Sequence, residues 1–249
     1  MSFRAQALRG ASLAAVILID PAAPATAREG SALVAVDIGH TLTKPGAISA
    51  RGATEFSFNQ RLARKIQAAL ERASVQTMLV NPDGLTEVLT DRTQKAARAG
   101  LFLSVHHDSV QPQFLTEWEV EGTKQLRSQG FRGFSLFISR TGFAQEPSLA
   151  CASAIGRFIR EAGFKPSEYH AADIPGERKP FADQENGVHY FDTLVVLKTA
   201  TSPAVLLEAG VITDPDEEID LSRAEVQEAM AGAVARGIHN CLVEHGRGL

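Results

Sequence analysis

From Ala32 onward, short apolar runs alternate with longer segments of helical period, a pattern that predicts an α/β domain with a mostly parallel sheet. Residues 32–38 form the first apolar run and predict a strand. Across 54–73, Phe58, Leu62, Ile66, Ala69 and Leu70 recur on one face and predict a helix. Val75–Val80 reads as the second strand, closed by Asn81-Pro82-Asp83-Gly84, whose backbone preferences make a turn. A helix over about 86–99 and a strand over Leu101–Val105 follow. Phe134–Ile138 is the next strand, and 147–162 is a helix with Leu149, Ala152, Ile155, Phe158 and Ile159 among its apolar positions. Leu194–Leu197 and Ala204–Leu207 read as strands, and 216–244 as the last helical material. The expected fold is therefore a single α/β domain: a mostly parallel, twisted sheet of about six strands flanked by helices.

Two stretches resist this pattern. Residues 110–132 are polar, lack a clean period and hold the sole tryptophan, Trp118, which would either stack on a sugar or pack in the core. Residues 163–187 are rich in Pro, Gly and charge and read as a long loop, a kind of segment that is usually functional or mobile. No internal repeat and no linker divides the chain.

Composition narrows the function classes. A net charge of -4, with no basic patch interleaved with aromatics, gives no basis for nucleic-acid binding. Arg4 and Arg9 precede the apolar stretch Ala11–Ile19, and Ala25-Thr26-Ala27 suits a small-x-small cleavage site. Residues 1–27 thus read as a signal peptide and 28–249 as the mature domain, placed in the periplasm or cell envelope. The apolar stretch is too short to span a bilayer, so no membrane insertion is expected after processing. Asp20 departs from the signal pattern, and the alternative is an N-terminal extension of a cytoplasmic protein. Cys151 and Cys241 both lie in helical patterns and are expected as buried free thiols, although export would permit a bridge.

The chemistry lies at the ends of the apolar runs. His40 follows the first and His106 the third, so two strands of a parallel sheet can present imidazoles side by side in the crevice at their C-terminal ends. Glu55 stands in the first turn of the intervening helix, where a carboxylate also complements the helix dipole. Each residue alone has an ordinary explanation. Together, two nitrogens and a carboxylate leave a fourth position on zinc for water, the arrangement of a hydrolase. A further acidic residue, Glu208, closes the run Ala204–Leu207.

Several segments carry a resemblance in consistent order. Val36-Asp37-Ile38-Gly39-His40 is similar to an Asp-Pro-Gly-His motif; Pro45-Gly46-Ala47, Gly52-Ala53-Thr54-Glu55, Leu89-Thr90-Asp91-Arg92 and Ala96-Ala97 continue it. Leu103-Ser104-Val105-His106-His107-Asp108 is similar to Ser-Ile-His-Ala-Asn/Asp; Asn186-Gly187-Val188 and Val196-Leu197-Lys198 follow. Pro203–Gly210, with Asp216-Glu217-Glu218 beyond, is similar to a Pro-Ala-Val-Leu-Val-Glu ending. Over about 32–225 the chain resembles the zinc-dependent N-acetylmuramoyl-L-alanine amidases of the bacterial cell wall. The resemblance implies one zinc ion held by His40, Glu55 and His106, with Glu208 as the catalytic carboxylate. It implies peptidoglycan or a muropeptide as substrate, cut at the amide between the muramic acid lactyl group and L-alanine.

The departures from that pattern matter. His107 stands where the family has a small residue; it would point away from His106 and serve as a donor that supports a ligand, a substrate contact, or a plain core or surface histidine. Asp108 is expected to orient a ligand imidazole. Ile38 replaces a proline and Lys198 an arginine, which weakens a substrate-contact role for Lys198. His170, His189, His239 and His245 have no supporting pattern, with His189 the one expected near the cleft. Some relatives carry a helix that plugs the zinc site with a glutamate. Residues 163–187 hold Glu168, Glu177 and Glu185 but too much Pro and Gly for such a helix, so a cleft-bordering loop and constitutive activity are expected. Two other readings stay open: another zinc amide hydrolase, such as a carboxypeptidase or deacylase, and a non-catalytic wall-recognition module.

Overall fold

The computed structural model describes residues 33–245. The signal-peptide reading of 1–27 lies outside the described residues.

A seven-stranded mixed sheet forms the centre, in the order β2-β1-β3-β9-β6-β8-β7. Its strands are β1 (Val34–Ile38), β2 (Thr77–Val80), β3 (Leu101–Asp108), β6 (Ser135–Ile138), β7 (Phe181–Asp183), β8 (Val188–Tyr190) and β9 (Ala204–Val211). β2, β1, β3 and β9 run parallel; β6 is antiparallel to β9, and β7 to β8. The expected α/β layering is present, with one more strand and two antiparallel joints. Helices cover both faces, which is why the central strands read as continuous apolar runs. Val34, Val36, Ile38, Leu103 and Val105 face α1 (Glu55–Arg72), α3 (Gln145–Glu161) and α6 (Ala224–His245). The alternate residues Ala35, Phe102 and Leu206 face the other way, toward α2 (Leu89–Lys95) and α4 (Val195–Thr199).

α1 begins at Thr54, whose hydroxyl accepts from the Ser57 amide, and buries the predicted stripe Phe58, Leu62, Ile66, Ala69 and Leu70. Two expectations are corrected, and one unplaced segment takes form. The run Leu194–Leu197 is not a strand: it enters α4, which lays Val196, Leu197 and Ala200 against Phe102 and Leu206. A four-residue apolar run cannot distinguish the two states by period alone. The 110–132 segment forms a separate antiparallel hairpin, β4 (Thr116–Val120) with β5 (Thr123–Arg127), standing away from the main sheet. Only part of 163–187 is loop, because β7 closes the sheet edge there. α5 (Pro215–Ser222) precedes α6, capped by the Asp214 carboxylate.

Cys151 and Cys241 are joined in a disulfide rather than free. They lie on facing stripes of α3 and α6, with Cα atoms 5.0 Å apart, within bridging range. Gly237, one turn before Cys241, makes this approach possible: a Cβ there would stand 2.4 Å from the Ile155 Cα. The bridge closes a 90-residue separation, which restricts the unfolded chain. Reduction, or Cys151→Ser, is expected to lower unfolding stability by about 2–5 kcal/mol, measured by denaturant titration with and without reductant.

Candidate functional site

Parallel strands β1, β3 and β9 end at one edge of the sheet, and the site is built in the crevice beyond them. His40 follows β1 in the left-handed region, φ 67°, a conformation uncommon for residues other than glycine. Its carbonyl is held there by Asn81 Nδ2 at 2.7 Å and Arg92 Nη2 at 2.6 Å. Asn81 Nδ2 and Arg92 Nη1 also donate to the Ile38 carbonyl, so β1 stops at a fixed point. Arg92 is itself buried, paired with Asp37 at 3.4 Å, while Ser104 donates to the second Asp37 oxygen at 2.7 Å. Burial pushes the Asp37 carboxyl up, and Arg92 and Ser104 oppose that shift.

Glu55, in the first turn of α1, brings the two imidazoles together. His40 Nε2 lies 2.9 Å from Oε2, and His106 Nδ1 lies 3.0 Å from Oε1. The rings meet edge to face, with centroids 4.9 Å apart. One potential ligand atom from each of His40, Glu55 and His106 lies within 4.8 Å of the others, so the structure brings all three together. Burial alone would raise the Glu55 carboxyl, but hydrogen bonds from His106 and His40 hold it well below the usual carboxylate range. Two glycines leave room for the rings: a Cβ on Gly39 would stand 2.3 Å from His106 Nε2, and one on Gly46 would stand 2.7 Å from His40 Cδ2. The Ala47 amide donates to Oε2 at 3.0 Å.

Behind the carboxylate stands Asn59, one helical turn after Glu55 and absent from the sequence reading. Its Nδ2 donates to Glu55 Oε1 at 3.1 Å and to the Gly39 carbonyl at 3.2 Å. Its Oδ1 lies 2.8 Å from His107 Nδ1. Alternation along β3 sends His107 away from the crevice into the packing beside Phe58, where burial pushes its pKa down to about 3. A neutral His107 thus supports the carboxylate through Asn59. The i+4 spacing of Glu55 and Asn59 was the available signal, but an asparagine on a helix has many ordinary roles.

Glu208 lies directly across the β3–β9 register from His106. Its Oε2 is buried with no hydrogen-bond partner, and burial, then the charges of Asp108 and Glu55, push its pKa well up. Asp108 does orient an imidazole, but that of His170 at 2.7 Å, rather than a residue of the triad. A register shift between His106 and Asp108 accompanies this change of direction. Lys198 is exposed on α4. Trp118 is half-buried in the hairpin, its Nε1 donating to the Ala50 carbonyl at 2.8 Å. His189 is fully buried in β8 against Phe181 and Phe137, its pKa pushed down to about 4 by burial; His239 is exposed on α6.

The 163–187 segment contains only a short 3-10 turn, Tyr169–Ala171, and β7. Glu177 is engaged by His170 at 2.8 Å, Lys179 at 2.6 Å and Gln111 at 2.7 Å, and Glu185 pairs with Arg160. His170 is therefore gripped on both nitrogens by carboxylates. Burial works against its charge, but Asp108 and Glu177 raise its pKa to about 9. No sequence pattern marked His170.

Comparison with known proteins places this geometry in context. A family model described as N-acetylmuramoyl-L-alanine amidase matches residues 34–240. The N-acetylmuramoyl-L-alanine amidase AmiA of Salmonella typhimurium is 27% identical over 230 residues, 86% of this chain and 78% of that protein. Among solved structures, the N-acetylmuramyl-L-alanine amidase Ami1 from Mycobacterium smegmatis shares the fold with a TM-score of 0.68 at 21% identity, covering 86% of this chain and 98% of its own. The catalytic domain of CwlV from Bacillus (Paenibacillus) polymyxa var. colistinus shares it with a TM-score of 0.65 at 24% identity, covering 85% and 98%.

The His170 network carries a pH signature. A histidine raised from 6.5 to about 9 contributes stability that is complete below about pH 6.5 and is lost as pH rises through about 9. Glu177, held down to about 2 from 4.5, contributes stability that is present above about pH 4.5 and is lost as pH falls through about 2. His170→Gln is expected to cost about 3 kcal/mol at pH 6 and to flatten the pH dependence of melting between pH 6.5 and 9. An unchanged slope in that window, read by calorimetry, would contradict the assignment.

Proposed function

The chain belongs to the N-acetylmuramoyl-L-alanine amidase family, and on that premise we propose that it hydrolyses the amide between the muramic acid lactyl group and L-alanine of peptidoglycan stem peptides, with one zinc ion at His40, Glu55 and His106. The observation that carries this reading is the convergence of both imidazoles on one buried carboxylate, with Glu208 across the register from His106. Two imidazole nitrogens and one carboxylate oxygen are a donor set that suits zinc, and three protein ligands leave a position open for chemistry. When bound, zinc polarises the scissile carbonyl and brings the pKa of water toward neutrality.

The rest falls to the chain's own residues. Ala47 and Asn59 fix the Glu55 carboxylate, each through a separate oxygen. Arg92 and Asn81 fix the backbone from which the His40 ring projects. Glu208, with one oxygen free of hydrogen bonds, takes a proton from the attacking water and gives it to the leaving amine. A site that only bound cell-wall fragments would have no use for an unpaired carboxylate there. Export to the periplasm or cell envelope belongs to this proposal, supported by the N-terminal pattern and by the Cys151–Cys241 bridge, a bond typical of oxidising compartments. Among the described residues no helix is long and apolar enough to cross a membrane.

Two experiments test the proposal. Glu208→Gln should retain stoichiometric zinc by metal analysis while peptidoglycan turnover falls by about 10²–10⁴, and His40→Ala should lose both. Release of L-alanine-initiated peptides by wild type, read by mass spectrometry, separates this activity from that of a carboxypeptidase or deacylase. An active Glu208→Gln protein would remove Glu208 from the mechanism. The second experiment concerns regulation. Glu177 and Glu185 are committed away from the triad, so limited proteolysis within 163–187 should leave activity level or lower; a large gain would instead indicate a plug.

A further inference from the structure

Among the described residues, three buried side-chain polar atoms lack a hydrogen-bond partner: Ser135 Oγ, His189 Nε2 and Glu208 Oε2. Buried polar groups are nearly always paired, so each of these calls for a physical reason. Two of them belong together. Ser135 on β6 is the register partner of Glu208 on β9, and residues opposite one another in an antiparallel pair point to one face with Cβ atoms about 4.5–5.5 Å apart. The third belongs to the next strand, where His189 faces Phe137. We propose that Ser135 is a positioning residue for Glu208: its hydroxyl donates to Oε2 of the ionised carboxylate and fixes the plane of the group, so that the other oxygen meets the attacking water. The inference rests on the amidase reading above and extends it to a residue outside the metal triad.

Three observations favour this role. Ser135 is 1% exposed in the otherwise apolar strand Ser135-Leu136-Phe137-Ile138, where an alanine would fill the space and leave no hydroxyl unpaired. A hydroxyl at that place is destabilising unless something uses it. Second, Glu208 turns one edge inward. The residue is partly exposed, yet its Oε2 is buried, and the charged groups that act on it, Asp108 and Glu55, are carboxylates with no proton to offer at neutral pH. A serine hydroxyl can supply the missing donor, since it rotates to suit its acceptor. Third, the same device operates elsewhere in this sheet. Ser104 on β3 is the register partner of Asp37 on β1, and its hydroxyl donates to Asp37 Oδ2 at 2.7 Å while the other oxygen faces Arg92. One carboxylate oxygen is thus anchored by a serine across the strand spacing and the other left for its partner. Hydrogen bonds of catalytic groups often tighten only with substrate in place, which accounts for a Ser135–Glu208 pair that meets across the register without yet being bonded.

The test is Ser135→Ala in the whole zinc-loaded protein. On a soluble muropeptide, kcat is expected to fall by about tenfold to a hundredfold, the loss of one hydrogen bond to a charged group, with KM within about twofold of wild type and zinc content unchanged. Thermal unfolding should stay level or move up, because the variant removes a buried hydroxyl. A role in folding alone would lower the melting midpoint and leave kcat in place. The Glu208 carboxyl carbon, assigned in carbon-13 NMR with Glu208→Gln, should shift between wild type and Ser135→Ala. In the Glu208→Gln background the effect of Ser135→Ala on residual turnover should shrink to within about twofold, since the hydroxyl acts through that carboxylate. An unchanged kcat, a fall in kcat matched by lost zinc or a lowered melting midpoint, an unmoved carboxyl resonance, or an undiminished effect in Glu208→Gln would each overturn the proposal. Failure of the amidase reading looks different: wild type would release no L-alanine-initiated peptide, while the carboxyl resonance would still respond to Ser135→Ala.

Discussion

The end of β1 is held by a guanidinium buried beneath it. Arg92 reaches the carbonyls of Ile38 and His40 and the carboxylate of Asp37, which in turn receives Ser104 from β3. Removing one member of such a buried pair leaves an uncompensated charge, at a typical cost of about 3–5 kcal/mol. The left-handed backbone at His40, uncommon outside glycine, is held by this clamp on its carbonyl. With β1 stopped there, Gly39 passes under the His106 ring and His40 turns toward Glu55. The position of the first imidazole thus follows from an ion pair outside the triad.

α1 provides the second reference. Thr54 caps it, so Glu55 occupies the first turn with a fixed direction, and Asn59 stands one turn deeper to hold the same carboxylate. The site is therefore carried by a helix start and two strand ends, rigid elements that keep donor atoms in place. There is a cost in repulsion. Glu55, Asp108 and Glu208 share one end of the sheet, and Glu208 feels both other charges. The imidazoles of His40 and His106 answer Glu55, His170 answers Asp108, and Glu208 alone has an oxygen unanswered. A dication in the triad would lower the repulsion among all three carboxylates.

The periphery is tied to this edge by polar contacts more than by apolar packing. His170 and Glu177 bring the 163–187 segment to Asp108, and Trp118 docks the hairpin on the loop that precedes α1. A small apolar cluster of Val110, Tyr169 and Val211 lies between these attachments, with Phe114 and Phe131 packed on it. These attachments give the crevice its walls without enlarging the central core.

What the sequence by itself determined was the alternation of apolar runs and amphipathic segments, the stripe on α1, the turn at Asn81–Gly84, and His40, Glu55, His106 and Glu208 as the polar residues that follow apolar runs or open a helix, although β3 and β9 run on past His106 and Glu208 to Asp108 and Val211. Those signals are local: a buried strand must be apolar, a helix must repeat its apolar stripe, and a polar residue that follows an apolar run stands out without its partners being known. The tertiary structure decided the rest. It turned Leu194–Leu197 from strand to helix, paired Cys151 with Cys241, folded 110–132 into a hairpin, and gave Asn59, Arg92 and His170 their roles. Asp108 and Glu177 are 62 and 7 residues from the imidazole they share, and Arg92 is 52 from the carbonyl it clamps. A hydrogen bond or disulfide is set by direction and distance in space, and a polar residue's own neighbours in the chain carry no record of which distant group the fold will bring to it.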